Sequence, residues 1–217
     1  MLKKSWDLNY QKLKRYNKWP YEFIITYAKR YIKNSKNKKV LDLGCGGGNN
    51  IKFLAEEKYN IYGIDSSETA IKLTKNQCNK KYRNQIILGD FKNLPYKNNF
   101  FDLIIDRMSI THNSEKDIEL IINEVWRVMK KDAIFIGSFH SNKNPQLKYG
   151  LKKKNTYYNF KKGMFFFSNI VFAPSHNFLK NKFEKFKILV FNERLDKNLL
   201  KKNKETLSSH YIVVLKK

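Results

Sequence analysis

The segment that most constrains the fold is an apolar run that breaks into glycines and leads to a second apolar run ending in an acid. Residues 40–43 form the first run, glycines follow at 44, 46 and 48, and residues 62–64 precede Asp65. The order predicts strand, glycine turn, helix, strand and acid. Glycines let the backbone approach a ligand closely, and an acid after the second strand can accept both hydroxyls of a ribose. The segment therefore predicts a site for a nucleotide-like ligand.

The glycine spacing excludes the dinucleotide fingerprint G-x-G-x-x-G. Asn49 and Ile51 occupy the two positions where that pattern needs its third glycine. The chain carries Asp-x-Gly-x-Gly-x-Gly instead, beginning at Asp42. A carboxylate before the glycines would repel a pyrophosphate but suits a cationic or amine-bearing ligand. A purely structural glycine turn is the alternative, and the acid after the second strand disfavours it.

The glycine pattern resembles motif I of the class I S-adenosylmethionine-dependent methyltransferases. Residues 89–91, 100–105 and 124–130 resemble later motifs of that family, in the same order. The family's helix usually ends in a Leu-Lys-Pro-Gly-Gly turn, whereas here residues 131–133 read Lys-Asp-Ala. That departure affects a connection, so it weakens the subfamily match more than the cofactor assignment.

The resemblance implies the cofactor S-adenosyl-L-methionine, with S-adenosyl-L-homocysteine as product, and assigns roles to several side chains. Asp42 would hold the amino-acid end of the cofactor, directly or through the loop and water, Asp65 the ribose, and Asp90 the adenine amino group. Asp90 could equally be a strand-end turn residue, and Asp106 with Arg107 a local ion pair. The implied cofactor-binding residues are Tyr10, Asp42, Gly44, Cys45, Gly46, Asp65, Ser66, Asp90, Phe91, Asp106 and Arg107.

Alternating strand and helix patterns predict an α/β fold with a parallel sheet and helices on both faces. Together with the resemblance they imply a Rossmann-like, seven-stranded, mostly parallel sheet whose last strand is antiparallel. We expect one domain over 1–217, with a helical arm or lid at 1–39 and an acceptor-covering insertion at 141–186 between strands five and six. The strands are predicted at 39–43, 61–64, 85–88, 101–105, 133–138, 187–191 and 209–215.

His112 is the candidate catalytic base. It follows strand four, where relatives often place residues at the methyl-transfer site, and the pKa range of histidine suits a base. A structural histidine is the alternative. His140 and Tyr16 are weaker candidates for substrate contact. Among the aromatic residues of the arm, Tyr10 is the best candidate to face the sulfonium, because aromatic faces attract cations.

The charge distribution separates the cofactor core from its flanks. The net charge is +25, yet residues 40–140 carry 14 basic and 13 acidic side chains. Residues 1–39 carry 12 and 2, and residues 141–187 carry 11 and 1. Basic flanks favour an acidic or phosphate-bearing acceptor. Genome composition is the alternative cause, since lysines outnumber arginines 38 to 6.

These observations favour small-molecule methylation at oxygen or nitrogen of a polar metabolite, such as a nucleotide-linked sugar. RNA methylation is possible but disfavoured by the scarcity of arginine. Methylation of a quinone or lipid, and a cofactor-binding role without catalysis, stay open. No apolar run approaches the roughly 18 residues of a membrane span and no metal-ligand spacing occurs, so we expect a cytoplasmic protein without a metal. The sequence leaves the oligomeric state open.

Overall fold

The computed structural model describes residues 2–13, 17–200 and 206–217. Seven strands form one sheet in the order β3-β2-β1-β4-β5-β10-β9, and the other three form a small sheet, β6-β7-β8. The strands are β1 (Lys39–Leu43), β2 (Asn60–Asp65), β3 (Ile86–Leu88), β4 (Phe101–Arg107), β5 (Met129–His140), β6 (Leu151–Lys153), β7 (Thr156–Tyr158), β8 (Ile170–Phe172), β9 (Lys187–Lys197) and β10 (Thr206–Lys216).

The pairing in the large sheet is mostly parallel. β1 pairs in parallel with β2 and β4, β2 with β3, and β4 with β5. β10 runs antiparallel to both of its neighbours, β5 and β9. The predicted fold class is therefore confirmed, including the antiparallel last strand.

Helices cover both faces of the large sheet because its strands alternate apolar side chains between two cores. On β4, Ile104 joins the core that contains residues of α5, whereas Leu103 and Ile105 join the core that contains residues of α2, α3 and α4. The helices are α1 (Leu2–Leu13), α2 (Glu22–Tyr31), α3 (Asn49–Glu56), α4 (Glu68–Gln77), α5 (Glu115–Val128) and α6 (His176–Lys182). Within the described ranges, none of these helices has the length and apolar character needed to cross a membrane.

The strands extend beyond the segments predicted from apolar runs. Strand five was predicted over 133–138, but β5 begins at Met129 and ends at His140. β9 and β10 likewise continue past their apolar segments as a long hairpin. Backbone hydrogen bonds to a neighbouring strand maintain extended structure where the side chains are polar, so hydrophobic pattern underestimates strand length.

The segment between β5 and β9 carries the small antiparallel sheet and α6. Its own core is formed by Leu147, Tyr157, Phe160, Phe165, Val171 and Ala173. The Thr111 hydroxyl donates a hydrogen bond to the carbonyl oxygen of Phe172 in β8, and Nδ1 of His112 lies 3.2 Å from the Ile170 carbonyl oxygen. These contacts hold β8 against the loop that follows β4.

Candidate cofactor and acceptor site

A cavity of about 670 Å3 lies at the carboxyl ends of β1, β2, β3 and β4. The carboxyl edge of a parallel sheet is the usual ligand site in such folds. Side chains from α1 and from the chain between α1 and α2 contribute to the cavity wall. The residues predicted for the site that line it are Tyr10, Gly44, Cys45, Gly46, Asp65, Ser66, Asp90, Phe91, Arg107 and His112.

The glycine loop is shaped by backbone that other residues adopt only with strain. Gly44 and Gly46 have φ angles of 75° and 54°, in the left-handed region. A Cβ atom at Gly46 would lie 2.5 Å from the Tyr10 hydroxyl oxygen, and one at Gly44 would overlap the Ser109 side chain. The absence of Cβ atoms therefore lets the loop backbone pack directly against the Ser109 and Tyr10 side chains at the cavity wall.

Asp65 holds this loop and the start of α4 together. Its Oδ2 accepts a hydrogen bond from the Gly46 N–H at 3.0 Å, and its Oδ1 accepts one from the Ser67 N–H at 2.9 Å. Burial raises the pKa of Asp65, while the backbone donors act in the opposite direction. The carboxylate is consequently positioned at the cavity wall.

Asp42 lies beneath the loop and does not line the cavity. It is 1% exposed, and among the described residues its Oδ2 has no hydrogen-bond partner. Burial raises its pKa to about 8, a hydrogen bond with Asn50 lowers it, and the nearby Asp106 and Asp65 raise it further. A buried carboxylate in this situation is stabilised by a cation placed near it.

Asp106 is a second carboxylate beneath the cavity wall. Its Oδ1 accepts hydrogen bonds from the N–H groups of Ser109 and Ile110, at 2.9 and 3.2 Å. Its Oδ2 has no partner within the described part of the chain, and burial raises its pKa to about 7. The loop that contains Gly44 and Gly46 forms part of the cavity wall. Together with this loop, the unpartnered carboxylate oxygens of Asp42 and Asp106 fit a nucleoside cofactor that carries positive charge.

Cys45 contributes a buried thiol to the same wall. Burial, together with the charges of Asp65 and Asp42, raises its pKa well above the ordinary value. The thiol stays protonated and is a poor nucleophile, because the thiolate is the reactive form. Cys45 therefore contributes shape rather than covalent chemistry.

Asp90 lines the cavity and also closes its own turn. Its Oδ1 accepts a hydrogen bond from the Lys92 N–H at 3.0 Å. Lys92 Nζ lies 3.8 Å from Asp90 Oδ2 and 3.4 Å from Asp117 Oδ1. The two roles weighed for Asp90, turn residue and cavity residue, are therefore compatible in this geometry.

His112 is held as a neutral imidazole at the other end of the cavity. A carbonyl oxygen can only accept, so its contact with Ile170 places the ring proton on Nδ1 and leaves a lone pair on Nε2. Burial lowers the pKa of His112 to about 4, and the charge of Arg107 acts in the same direction. The Trp6 ring on α1 packs edge-on against the imidazole at 4.9 Å.

His140 does not match its predicted contact with substrate. It is buried behind His112, with ring centroids 5.6 Å apart, and does not line the cavity. Its position at the end of β5, together with Phe165 at 4.7 Å, covers it.

Tyr16, the other weak substrate candidate, lies outside the described residues. Within the described ranges, no cluster of His, Cys, Asp and Glu could hold a metal ion.

Arg107 is an exposed cation in the cavity wall. Its guanidinium carbon lies 4.3 Å from the centroid of the Tyr21 ring, so the ring orients the side chain. No carboxylate of the described residues forms an ion pair with it. A planar guanidinium without an ion-pair partner suits a phosphate or carboxylate of a ligand.

A family model described as a methyltransferase domain matches residues 34–206. This match covers most of the chain, and it includes the glycine loop, Asp65, Arg107 and His112. The chain belongs to the class I S-adenosylmethionine-dependent methyltransferases. The family relationship explains why the acids and glycines of this methyltransferase converge at the carboxyl ends of its first strands.

Similar proteins support the fold, but their names state different activities. An uncharacterized methyltransferase of Synechocystis is 32% identical over 102 residues, 46% of each chain. The human mitochondrial arginine-hydroxylase NDUFAF5 is 30% identical over 99 residues, 45% of this chain and 27% of that protein. The matches thus span less than half the length of these relatives. A solved methyltransferase structure from Methanosarcina mazei has a TM-score of 0.69 at 20% identity, covering 92% of this chain and 98% of that one.

One contact that sequence reasoning missed attaches α1 of the methyltransferase to the start of α4, beside Asp65. Asp7 Oδ1 accepts hydrogen bonds from the Ser67 hydroxyl at 2.7 Å and from the Thr69 N–H at 2.9 Å. Asp7 is one of two acids in residues 1–39, which is the signal that could have drawn attention to it. Other cavity residues that the sequence patterns did not single out for the site are Asn9, Asn17, Tyr21, Asn49, Asn50, Lys92, Asn113 and Asp117.

Proposed function

We propose that this methyltransferase transfers the methyl group of S-adenosylmethionine to an oxygen or nitrogen of a small polar acceptor that carries a phosphate or carboxylate. A nucleotide-linked sugar is an example of such an acceptor. The observation that carries the proposal is the division of charge within one cavity. Asp65 lines and Asp42 underlies the end of the cavity formed by β1 and β2, while the exposed guanidinium of Arg107, which has no ion-pair partner among the described residues, lies at the end of β4.

At the acidic end, the cradle of Gly44 and Gly46 would receive the cofactor, with Asp65 accepting from the ribose hydroxyls. Asp42 and Asp106 would offset its positive charge from beneath the loop. When bound, S-adenosylmethionine supplies an electrophilic methyl group on a sulfonium sulfur, and an acceptor lone pair can displace that sulfur. Because the displacement needs a linear arrangement, positioning of the acceptor supplies much of the rate.

At the basic end, Arg107 would bind the anionic group of the acceptor and set its orientation. The Nε2 lone pair of His112 would then accept the proton that an acceptor hydroxyl or ammonium releases. Trp6 and Tyr10, which reach the cavity from α1, would exclude water from the reacting atoms. The proposal includes a cytoplasmic location, supported by Cys45 and Cys78, which are free thiols.

The first test is binding of S-adenosylmethionine and S-adenosylhomocysteine by calorimetry, followed by a labelled-methyl screen of nucleotide sugars, RNA and lipid extracts. We expect binding of both cofactor forms and label in the acidic small-molecule fraction. Label only in RNA or only in lipid would overturn the acceptor class, and no binding of either cofactor form would overturn the activity.

His112 has its own prediction with the identified acceptor. His112→Gln should lower kcat by about 100-fold, the usual contribution of a general base, with cofactor affinity within about twofold of wild type. Because the folded pKa lies near 4, the wild-type rate should be flat between pH 6 and 8 and fall as pH drops toward 4, where the ring becomes protonated. Unchanged kcat in the variant would remove His112 from the mechanism.

A further inference from the structure

An exposed apolar turn projects from the segment between β7 and β8. We define the aromatic turn as residues 163–168. Met164 is 57% exposed, and Phe166 and Phe167 are each 48% exposed. Phe165, between them, is buried against His140 and Phe160. Three large apolar side chains of the turn therefore face solvent, while Phe165 packs into the interior.

The aromatic turn is held in place rather than loosely packed. Gly163 has a φ angle of 82°, and a Cβ there would approach Gln146 and the Tyr149 ring. The Ser168 hydroxyl and N–H both donate to the Phe165 carbonyl oxygen at 3.0 Å. Exposure of the apolar side chains is thus a property of a defined backbone, and it carries a hydration cost that a docked partner would remove.

Lysines without acidic neighbours in sequence surround this turn. Residues 143–162 contain seven lysines and no acid, and residues 133–183 contain no Asp or Glu. Lys148 and Lys162 each lie near the Tyr149 ring, at 5.2 and 5.0 Å, and Lys152 lies 5.8 Å from the Tyr157 ring. Tyr149 also lies under Gly163, so Lys148 and Lys162 are next to the aromatic turn.

Several lysines elsewhere in the fold have a carboxylate partner. Lys38 and Lys130 both pair with Asp102, at 3.2 and 2.7 Å, and Lys182 pairs with Glu119 at 3.0 Å. Lys148 and Lys162 have an aromatic ring as their contact instead of a carboxylate within the described residues. Of the seven lysines in residues 143–162, Lys143 does pair with an acid, Glu193 at 2.6 Å, so the part of this stretch without a carboxylate contact is the part next to the aromatic turn.

We propose that the aromatic turn and its lysines dock this methyltransferase on an anionic lipid surface. Met164 and the exposed phenylalanines would enter the boundary between headgroups and acyl chains, and the lysine ammonium groups would pair with headgroup phosphates. A nucleic acid is the less favoured partner. The basic side chains of residues 141–187 are all lysine, whereas stacking and phosphate recognition in nucleic acids favour arginine.

The docked orientation has a consequence for the active site. Phe165 anchors the aromatic turn against His140, and His140 lies behind His112 at the acceptor end of the cavity. The proposed docking surface is therefore linked through two packed side chains to the catalytic candidate. The inference goes beyond the proposed function and does not depend on the identity of the acceptor.

Vesicle sedimentation tests the proposal with the full chain. We expect binding to vesicles that contain about 30% phosphatidylserine, little binding to phosphatidylcholine alone, and weaker binding as salt screens the lysines. The double substitutions Met164→Ser with Phe166→Ser, and Lys148→Glu with Lys162→Glu, should each reduce the bound fraction at least tenfold. The matched control is Lys116→Glu with Leu120→Ser on α5, where Leu120 is 46% exposed, and it should bind as wild type does.

Several results would overturn lipid docking. These are no sedimentation with anionic vesicles, equal binding to neutral vesicles, or equal losses in the α5 control. Displacement of the protein from vesicles by RNA, with RNA affinity sensitive to the lysine pair but not to the apolar pair, would assign the surface to nucleic acid instead. Calorimetry with S-adenosylhomocysteine checks that each variant is folded, and the lysine pair tests the idea even if the apolar pair misfolds.

Discussion

The two ends of the cavity are built by different means. At the β1–β3 end, Asp42 and Asp65 lie within one short stretch of chain, and their carboxylates are buried at or beneath a glycine loop. At the β4 end, Arg107 stacks on Tyr21 and His112 is held by Ile170, so the contacts join distant segments. The cofactor end is thus a local motif, whereas the acceptor end is an assembly of separate segments.

The two ends also differ in charge. At the β1–β3 end, burial raises the pKa of Asp42 to about 8, so this end is stabilised when a cation is near. At the other end, burial lowers the pKa values of His112 and His140, so both imidazoles are neutral and Arg107 supplies the positive charge. One end is suited to a cationic ligand and the other to an anionic one.

The largest expected effect comes from neutralising the acidic end. Asp42→Asn should weaken S-adenosylmethionine binding by about 100-fold, in the range for removing one member of a buried charge pair. The folded pKa near 8 exceeds the unfolded value of 3.8, so the contribution of this group to stability falls as pH rises from about 4 to about 8. The variant should therefore raise the free energy of unfolding of the ligand-free protein by about 1 to 3 kcal/mol at pH 8, and less toward pH 4.

Asp102→Asn is the control of opposite sign. Asp102 pairs with Lys38 and Lys130, and its pKa is lowered in spite of burial, because these partners favour the charged form. Its contribution to stability is present above the unfolded pKa and is lost as pH falls through the folded pKa. The Asp102 variant should therefore lose stability at pH 8 and keep cofactor affinity. If Asp42→Asn is instead less stable than wild type at pH 8, the proposed difference between Asp42 and Asp102 is wrong.

The next effect tests the basic end. Arg107→Gln should raise KM for an anionic acceptor found in the labelled-methyl screen by about 10-fold or more, and Arg107→Lys by less, since lysine keeps charge but loses the planar fork. Affinity for S-adenosylhomocysteine should change by less than about twofold, because the guanidinium is placed at the acceptor end.

Arg30→Gln is the matched control for Arg107. Arg30 also stacks on a tyrosine, Tyr27, at 5.5 Å, but it does not line the cavity. Loss of a cation–π contact alone would therefore affect both variants equally. If Arg107→Gln weakens cofactor binding as much as acceptor binding, the division of the cavity into two ends is wrong.

The smallest expected effect concerns α1, which contacts both ends of the cavity. Asp7→Asn weakens the hydrogen bonds from Ser67 and Thr69, and we expect S-adenosylhomocysteine to dissociate about 3- to 10-fold faster, consistent with about 1 kcal/mol for a capping interaction. Stopped-flow fluorescence measures the dissociation rate. Glu22→Gln, which alters an ion pair with Arg194 at 2.7 Å, should leave that rate unchanged. Equal rates for Asp7→Asn and wild type would show that α1 does not retain the cofactor.

Sequence patterns predicted that the glycine loop and Asp65 lie together, because their positions are set by short-range spacing. Glycines at 44 and 46 require left-handed backbone, and an acid at the end of β2 lies beside the loop after β1 because the two strands are parallel neighbours. Alternating strand and helix patterns predicted the parallel sheet, and the family resemblance supplied its seven strands and antiparallel last strand. The ends of strands were less predictable, since hydrogen bonds from neighbouring strands extend them beyond the apolar runs.

By itself, the sequence determined the α/β class, the alternation of strands and helices along residues 39–138 and the glycine motif after the first strand, because backbone preference and hydrophobic period act over a few residues. Only the tertiary structure decided that Asp42 lies beneath the loop, that His140 is covered by His112 and Phe165, and that Arg107 meets Tyr21. The hydrogen bond between Ser67 and Asp7 is another contact that only the tertiary structure decided. These contacts join residues far apart in the chain, and packing against a finished sheet, rather than local spacing, determines which side chains reach the cavity.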